Sequence, residues 1–126
     1  MLACGMFAQD YVKYVNPYMG NISHTLVPSL PTVQLPHSML RVYPKRQDFA
    51  TWIVEDFSLV SPSHRNIFSG NGILPFVGDS APESSTLDNE KISPYSYSAI
   101  LDGQEIGVDF APSFKSAVYS FDFSNS

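Results

Sequence analysis

Alternation of apolar and polar residues with period two is strongest in the last third of the chain. Tyr95, Tyr97, Ala99 and Leu101 fall on one side of an extended segment, with Ser96 and Ser98 on the other. Ile106, Val108 and Phe110 then alternate with Glu105, Gly107 and Asp109. Ala117, Tyr119, Phe121 and Phe123 alternate with Ser116, Ser120 and Asp122. Asp102-Gly103 between the first two segments predicts a type I′ hairpin turn, since both residues accept positive φ. Three consecutive segments of this kind predict an antiparallel meander with one wet face. Its apolar face needs a second layer, so the fold class is all-β, an antiparallel β-sandwich. A sandwich of about seven strands wants more sequence than this, so the chain is expected to be the first part of one.

Upstream the pattern is weaker. Five prolines, Pro17, Pro28, Pro31, Pro36 and Pro44, interrupt the stretch from residue 11 to 46. Proline fixes φ and removes a donor, which excludes a long helix or a central strand there. The segment is expected to be extended and looping, with a short strand over Ser38–Tyr43. Trp52–Val60 is a second strand candidate, and Ile73–Val77 is an apolar run of strand length. Ser61–Gly72 reads as a loop, and the polar, acidic Gly78–Glu90 as an exposed loop.

Composition agrees with an all-β chain. Charged residues are only 15% of the 126, while ten prolines and seven tyrosines exceed ordinary usage. That mixture suits short strands and turns and lacks the Glu, Lys and Ala of exposed helices. The net charge of −5 leaves no basic face for phosphates, which argues against nucleic acid as a partner.

The lone Cys4 excludes an internal disulfide and a thiolate zinc cluster. Its setting, Met1-Leu2-Ala3-Cys4-Gly5, resembles the end of a bacterial lipoprotein signal. Met6-Phe7-Ala8-Gln9 alternatively reads as the end of an ordinary secretory signal. Residues 1–10 are therefore expected to be a signal remnant, and 11–126 the domain proper. The protein is expected to be exported, to the periplasm or the outer surface of a bacterium. A membrane is a partner only if Cys4 is lipidated.

No residue of this chain is expected to be catalytic. General acid–base chemistry, for example, needs two carboxyl groups that converge on one cleft. Glu55 and Asp56 are adjacent and would face opposite sides of a strand. Asp88 and Glu90 lie in the expected loop, and Glu105 and Asp109 on the wet face of the hairpin, so all four are expected at the surface. The histidines His24, His37 and His64 have no i, i+3 or i, i+4 spacing, so no metal site is expected. Trp52 is the only tryptophan. Its strand context favours the core, whereas an exposed indole would offer a flat apolar platform for a ligand.

Four segments, in order, resemble glycoside hydrolase family 92. Tyr14-Val15-Asn16-Pro17-Tyr18-Met19-Gly20, followed by His24-Thr25, is similar to the family's V-N-P-[FY]-[IM]-G opening and its H-T element. Pro31-Thr32-Val33-Gln34-Leu35-Pro36 resembles its V-Q-L stretch. Ser63-His64 and Ser69-Gly70 stand where the family carries S-H-T-H-L-S-G, with Arg65 following His64. Asp88–Ser98 resembles a segment that enters a strand pair. The resemblance implies the N-terminal β-sandwich of a secreted, calcium-dependent exo-α-mannosidase. Such a domain packs on an (α/α)₆ barrel that supplies the acid, the base and the main metal ligands. It implies no cofactor in this chain, Ca²⁺ in the intact enzyme, and a mannose-containing glycan as ligand. By that resemblance His24 and His64 help to wall the sugar pocket; from their own chemistry, Trp52 could stack on a pyranose ring and Arg65 donate to sugar hydroxyls there. The alternative is a stand-alone carbohydrate-binding or surface-anchored sandwich.

Overall fold

The computed structural model describes residues 11–20, 25, 32–38, 42–46, 52–58 and 72–123. Among the described residues, every regular element after the 3₁₀ turn Val12–Tyr14 is a strand. These are β1 (Pro44–Arg46), β2 (Ile53–Ser58), β3 (Gly72–Ile73), β4 (Ser85–Ile92), β5 (Tyr97–Leu101), β6 (Ile106–Pro112) and β7 (Ala117–Asp122). All neighbours pair antiparallel in the order β1-β2-β4-β5-β6-β7, with β3 also on β2. The sheet curls into a half-barrel, the all-β antiparallel architecture expected of a partial sandwich.

The core lies in the concave face. Val54 and Phe57 of β2, Leu87 of β4, Tyr97, Ala99 and Leu101 of β5, and Ile106, Val108 and Phe110 of β6 are all buried. Val33 and Val42 join them through an isolated two-residue bridge. Tyr97, Phe110 and Tyr119 are successive cross-strand partners, and their rings form a row. Tyr97 and Phe110 stack at 4.5 Å. Phe57 meets both edge-on, at 5.9 and 6.4 Å, although β4 separates its strand from theirs. That contact is the measure of the curl. Aromatic pairs of this kind add about 0.5–1.5 kcal/mol each beyond the area they bury.

The meander forms where the alternation places it, with two adjustments. Tyr95 leaves the apolar side and is exposed, because Ser93 and Ser96 close a tight turn before β5 begins. The β5–β6 connection runs over four residues, 102–105, rather than the two of a type I′ turn. Gly103 and Glu105 take the positive φ, at 82° and 51°.

Three upstream expectations are revised. Of the expected strand Ser38–Tyr43, residues 39–41 lie outside the described residues and Val42 makes only an isolated bridge with Val33. The first described strand is Pro44–Arg46, which opens on a proline, a position where the missing N–H costs no ladder bond. The run 73–77 keeps only Ile73 in a strand, paired with Phe57. Gly78–Glu90 is not one loop, since β4 starts at Ser85. Its outward residues are polar because they face water, which gave the segment a loop-like composition.

Two β-bulges shape the curl. On β4, Asp88 pairs with Ile100 and Lys91 with Ser98, so Asn89 and Glu90 together oppose Ala99. Asn89 takes φ 52°, a left-handed conformation that Asn tolerates better than most residues. On β2 the extra residue is Glu55, between Val54 opposite Arg46 and Asp56 opposite Lys45. Each bulge shifts the strand's facing by one residue.

Candidate functional site

The bulge on β4 turns Glu90 into the protein. Its side chain is 0% exposed, and that of Arg46, its ion-pair partner on β1, is 6% exposed. The Tyr97 hydroxyl donates to Glu90 Oε1 at 2.9 Å. The Tyr18 hydroxyl donates to Oε2 at 3.2 Å. Both carboxylate oxygens are thus engaged, as a buried charge requires. Burial, and then the adjacent Glu90 carboxylate, pushes the Tyr18 phenol up to about 12. The same causes, in the same order, raise Tyr97 far above its ordinary value. Both phenols therefore stay neutral and act as donors.

Tyr18 reaches Glu90 from the N-terminal segment. Asn16 Oδ1 accepts the Tyr18 N–H at 3.0 Å, and Asn16 C=O accepts the Met19 N–H at 3.2 Å. These bonds make the Asn-Pro-Tyr-Met stretch a turn that delivers the phenol to the sheet. Chain positions 18, 46, 90 and 97 thereby meet at one carboxylate.

Trp52 stands at the rim of this cluster. Its C=O accepts the Leu87 N–H at 2.7 Å, which extends the short β2–β4 ladder by one bond. Its ring has the Arg46 guanidinium 5.6 Å from the ring centroid, within cation–π range. The residue is nevertheless 54% exposed. It is not a core tryptophan, because β2 begins one residue later and the indole swings out over the bulge. With Leu87, Asp88, Asn89 and Glu90 it lines an open groove of about 410 Å³.

A second cluster joins β1 and β2. The Lys45 ammonium bridges Glu55 Oε2 at 2.5 Å and Asp56 Oδ2 at 4.0 Å. The two acids, expected on opposite faces, share one cation because the bulge falls at Glu55. The Glu55 contact raises the Lys45 ammonium, and burial raises the Asp56 carboxyl against the opposing pull of Lys45. Burial first, and Asp56 second, raises Tyr119 on β7. A side chain on Gly72 would collide with Asp56, its Cβ falling 2.1 Å from Asp56 Cγ.

Of the expected site residues, Trp52 is the one the structure describes. His24, His64, Arg65 and Cys4, with all of residues 1–10, lie outside the described residues. Asp88, Glu105 and Asp109 are exposed, as expected. Glu90 is the correction: it was expected at the surface and is the most enclosed charge in the site. Its partner Arg46 is 44 positions away, so no local motif announces the pair.

The sequence model described as the glycosyl hydrolase family 92 N-terminal domain matches residues 14–126. The chain belongs to this family. The match spans all four resembling segments and every strand of the curled sheet. No curated protein matches the chain. In this family 92 domain the Asn-Pro-Tyr turn and the β4 segment, 72 positions apart, are joined by the Tyr18–Glu90 hydrogen bond.

Proposed function

We propose that this chain is the non-catalytic N-terminal β-sandwich part of an exported, calcium-dependent exo-α-mannosidase. It packs on an (α/α)₆ catalytic barrel and lends a wall to the pocket for a mannose-containing glycan. The observation that carries this reading is Trp52, more than half exposed yet anchored on a buried ion pair. An indole fixed in this way offers a flat apolar surface at little conformational cost. The described carboxylates in clusters are tied to cations, Glu55 and Asp56 to Lys45 and Glu90 to Arg46. None of these is poised as an acid and base pair across a cleft, and the chemistry falls to the barrel. Tyr119 and Phe121 are only half buried, which suits a sheet that receives a further layer.

Calcium does not fit the described residues. No group of three His, Cys, Asp or Glu is assembled among them. The closest approach to one, Glu55 with Asp56, already holds the Lys45 ammonium. Calcium ligands belong to the barrel in this reading. His24, His64 and Arg65 remain proposed pocket residues, and lipidation at Cys4 the proposed route to a membrane. The acidic chain, at net charge −5, is proposed to have no nucleic-acid partner.

The test is hydrolysis of an aryl α-mannoside by the chain alone and by the chain co-expressed with a family 92 barrel, with calcium or with EDTA. Turnover is expected only with the barrel and calcium. Trp52→Ala should then raise KM about tenfold while kcat changes less than about twofold, the mark of lost uniform binding. Turnover by the repurified chain alone would overturn the reading, as would a KM indifferent to Trp52.

A further inference from the structure

The two strands that end the sheet path are built differently. β1 is three residues long, opens on Pro44, carries Lys45 and Arg46, and meets β2 across a bulge. Shortness, a proline, charges and a bulge are the devices that keep a sheet edge from pairing with another chain. β7 has none of them. Its six residues pair with β6 in unbroken register, from Ala117 opposite Pro112 to Asp122 opposite Gly107. It contains no proline and, before Asp122, no charge. Among the described strands it has a neighbour on one side only. On its outer face Val118 is 72% exposed. On its inner face Tyr119 and Phe121 stack on each other, both half-buried, with Tyr119 also against Phe110.

We propose that the β7 edge pairs, antiparallel and about a two-fold axis, with β7 of a second copy of this chain. Charge favours this occupant and this direction. The charges that flank the strand are opposite in sign, Lys115 just before it and Asp122 at its end. Antiparallel pairing sets the Lys115 end of each strand beside the Asp122 end of the other, whereas parallel pairing sets like beside like. The uncharged stretch between them meets itself, so the net charge of −5 is kept away from the contact. Directly opposed residues project to the same side of a sheet. A two-fold pairing that keeps both concave faces on one side therefore sets one residue opposite its counterpart. With Tyr119 in that place, the row of Tyr97, Phe110 and Tyr119 runs across the axis into its copy, and Val118 lies opposite Ser120. The same edge is used by both copies, so the contact closes at a dimer.

Sedimentation velocity of the full chain over about 1–300 μM, the range of a micromolar pair, should show a dimer that dissociates on dilution. Two double variants on the exposed outer face test the register. Val118→Lys with Ser120→Lys sets lysine opposite lysine twice across the axis and should weaken the dimer about tenfold. Val118→Glu with Ser120→Lys sets opposite charges there and should hold it as tightly as the wild type or more so. Thermal melts establish that both variants are folded. A wild-type chain that stays monomeric throughout the range overturns the proposal, as does one that grows past the dimer without closing. A dimer that responds equally to the two variants, or to neither, places the contact elsewhere and overturns it as well. The mannoside assay is independent of all these outcomes and judges the glycosidase reading separately.

Discussion

The pair formed by Arg46 and Glu90 permits a sharp prediction about stability. Glu90→Gln keeps size and one oxygen for the Tyr97 hydroxyl, but leaves the guanidinium buried without its counter-charge. The side chains are 6% and 0% exposed, so solvent cannot compensate. Removing one partner of such a pair typically costs about 3–5 kcal/mol. The lower end, about 3 kcal/mol, is expected for Gln, which still accepts from Tyr97. About 5 kcal/mol is expected for Glu90→Ala, which also strands the phenols of Tyr97 and Tyr18. Against a total of about 5–15 kcal/mol, either loss is a large fraction. For a chain of this size, 3 kcal/mol lowers Tm by roughly 10 °C. Urea unfolding followed by far-UV circular dichroism gives the difference. The double variant Arg46→Met, Glu90→Leu should recover wild-type stability or exceed it, because no uncompensated charge remains. A Glu90→Gln loss under about 1 kcal/mol would refute the reasoning, since the pair would then have to be solvated.

Three further outcomes follow from the same structure. Asn89→Ala should lose about 1–2 kcal/mol through left-handed strain while Asn89→Gly stays near wild type, compared by urea unfolding; equal losses would contradict a bulge conformation at Asn89. Tyr18 ionises in the unfolded chain near its ordinary 10 and in the folded one at about 12. The unfolded state therefore loses its proton first, and the stability present below pH 10 should fall as pH rises toward 12. Tyr97 shifts in the same direction, so Tyr97→Phe should flatten part of that alkaline decline; thermal melts from pH 8 to 12 would show it, and an unchanged slope would contradict it. Phe110→Ala removes the ring shared by Phe57, Tyr97 and Tyr119 and should cost about 3–5 kcal/mol in denaturant unfolding, whereas a cost near 1 kcal/mol would mean the half-barrel is loosely packed.

The meander was legible because each of its strands buries one side only and keeps strict period two. Tyr97, Ala99 and Leu101, then Ile106, Val108 and Phe110, read directly as core. β4 was not legible as a strand because its buried positions are few and its period is broken. A usable signal was nevertheless present. Leu87 and Ile92 are five apart, an odd spacing, so both can face one side only if an extra residue intervenes. Val54 and Phe57, three apart, carry the same signal on β2. A search for odd-spaced apolar pairs flanking Asn or adjacent acids would have marked both bulges. It would also have predicted that Glu90 turns inward. The Arg46 partner would still have been missed, because only tertiary structure brings positions 46 and 90 together. Trp52 was recognisable as a candidate, but its exposure depends on where β2 starts.

The junction between β2 and β4 has a consequence for how the domain assembles. It consists of two residue pairs, Ile53 with Thr86 and Val54 with Ser85, plus the bond from Leu87 to Trp52. The β4–β7 ladder on one side is built from neighbours in sequence, with low loop-closure cost. The β1–β2–β3 side must span longer gaps before its contacts form. The β4–β7 side is thus expected to form first and the β1–β2–β3 side to dock on it later, through this seam and through the Phe57 and Arg46 contacts that complete the core. Amide exchange should show that order, with the hairpins from Tyr97 to Asp122 protected longest and Ile53 and Val54 released first. The Trp52 groove straddles the seam, so a ligand held there would act as a clasp between the two sides and raise the protection of the later one.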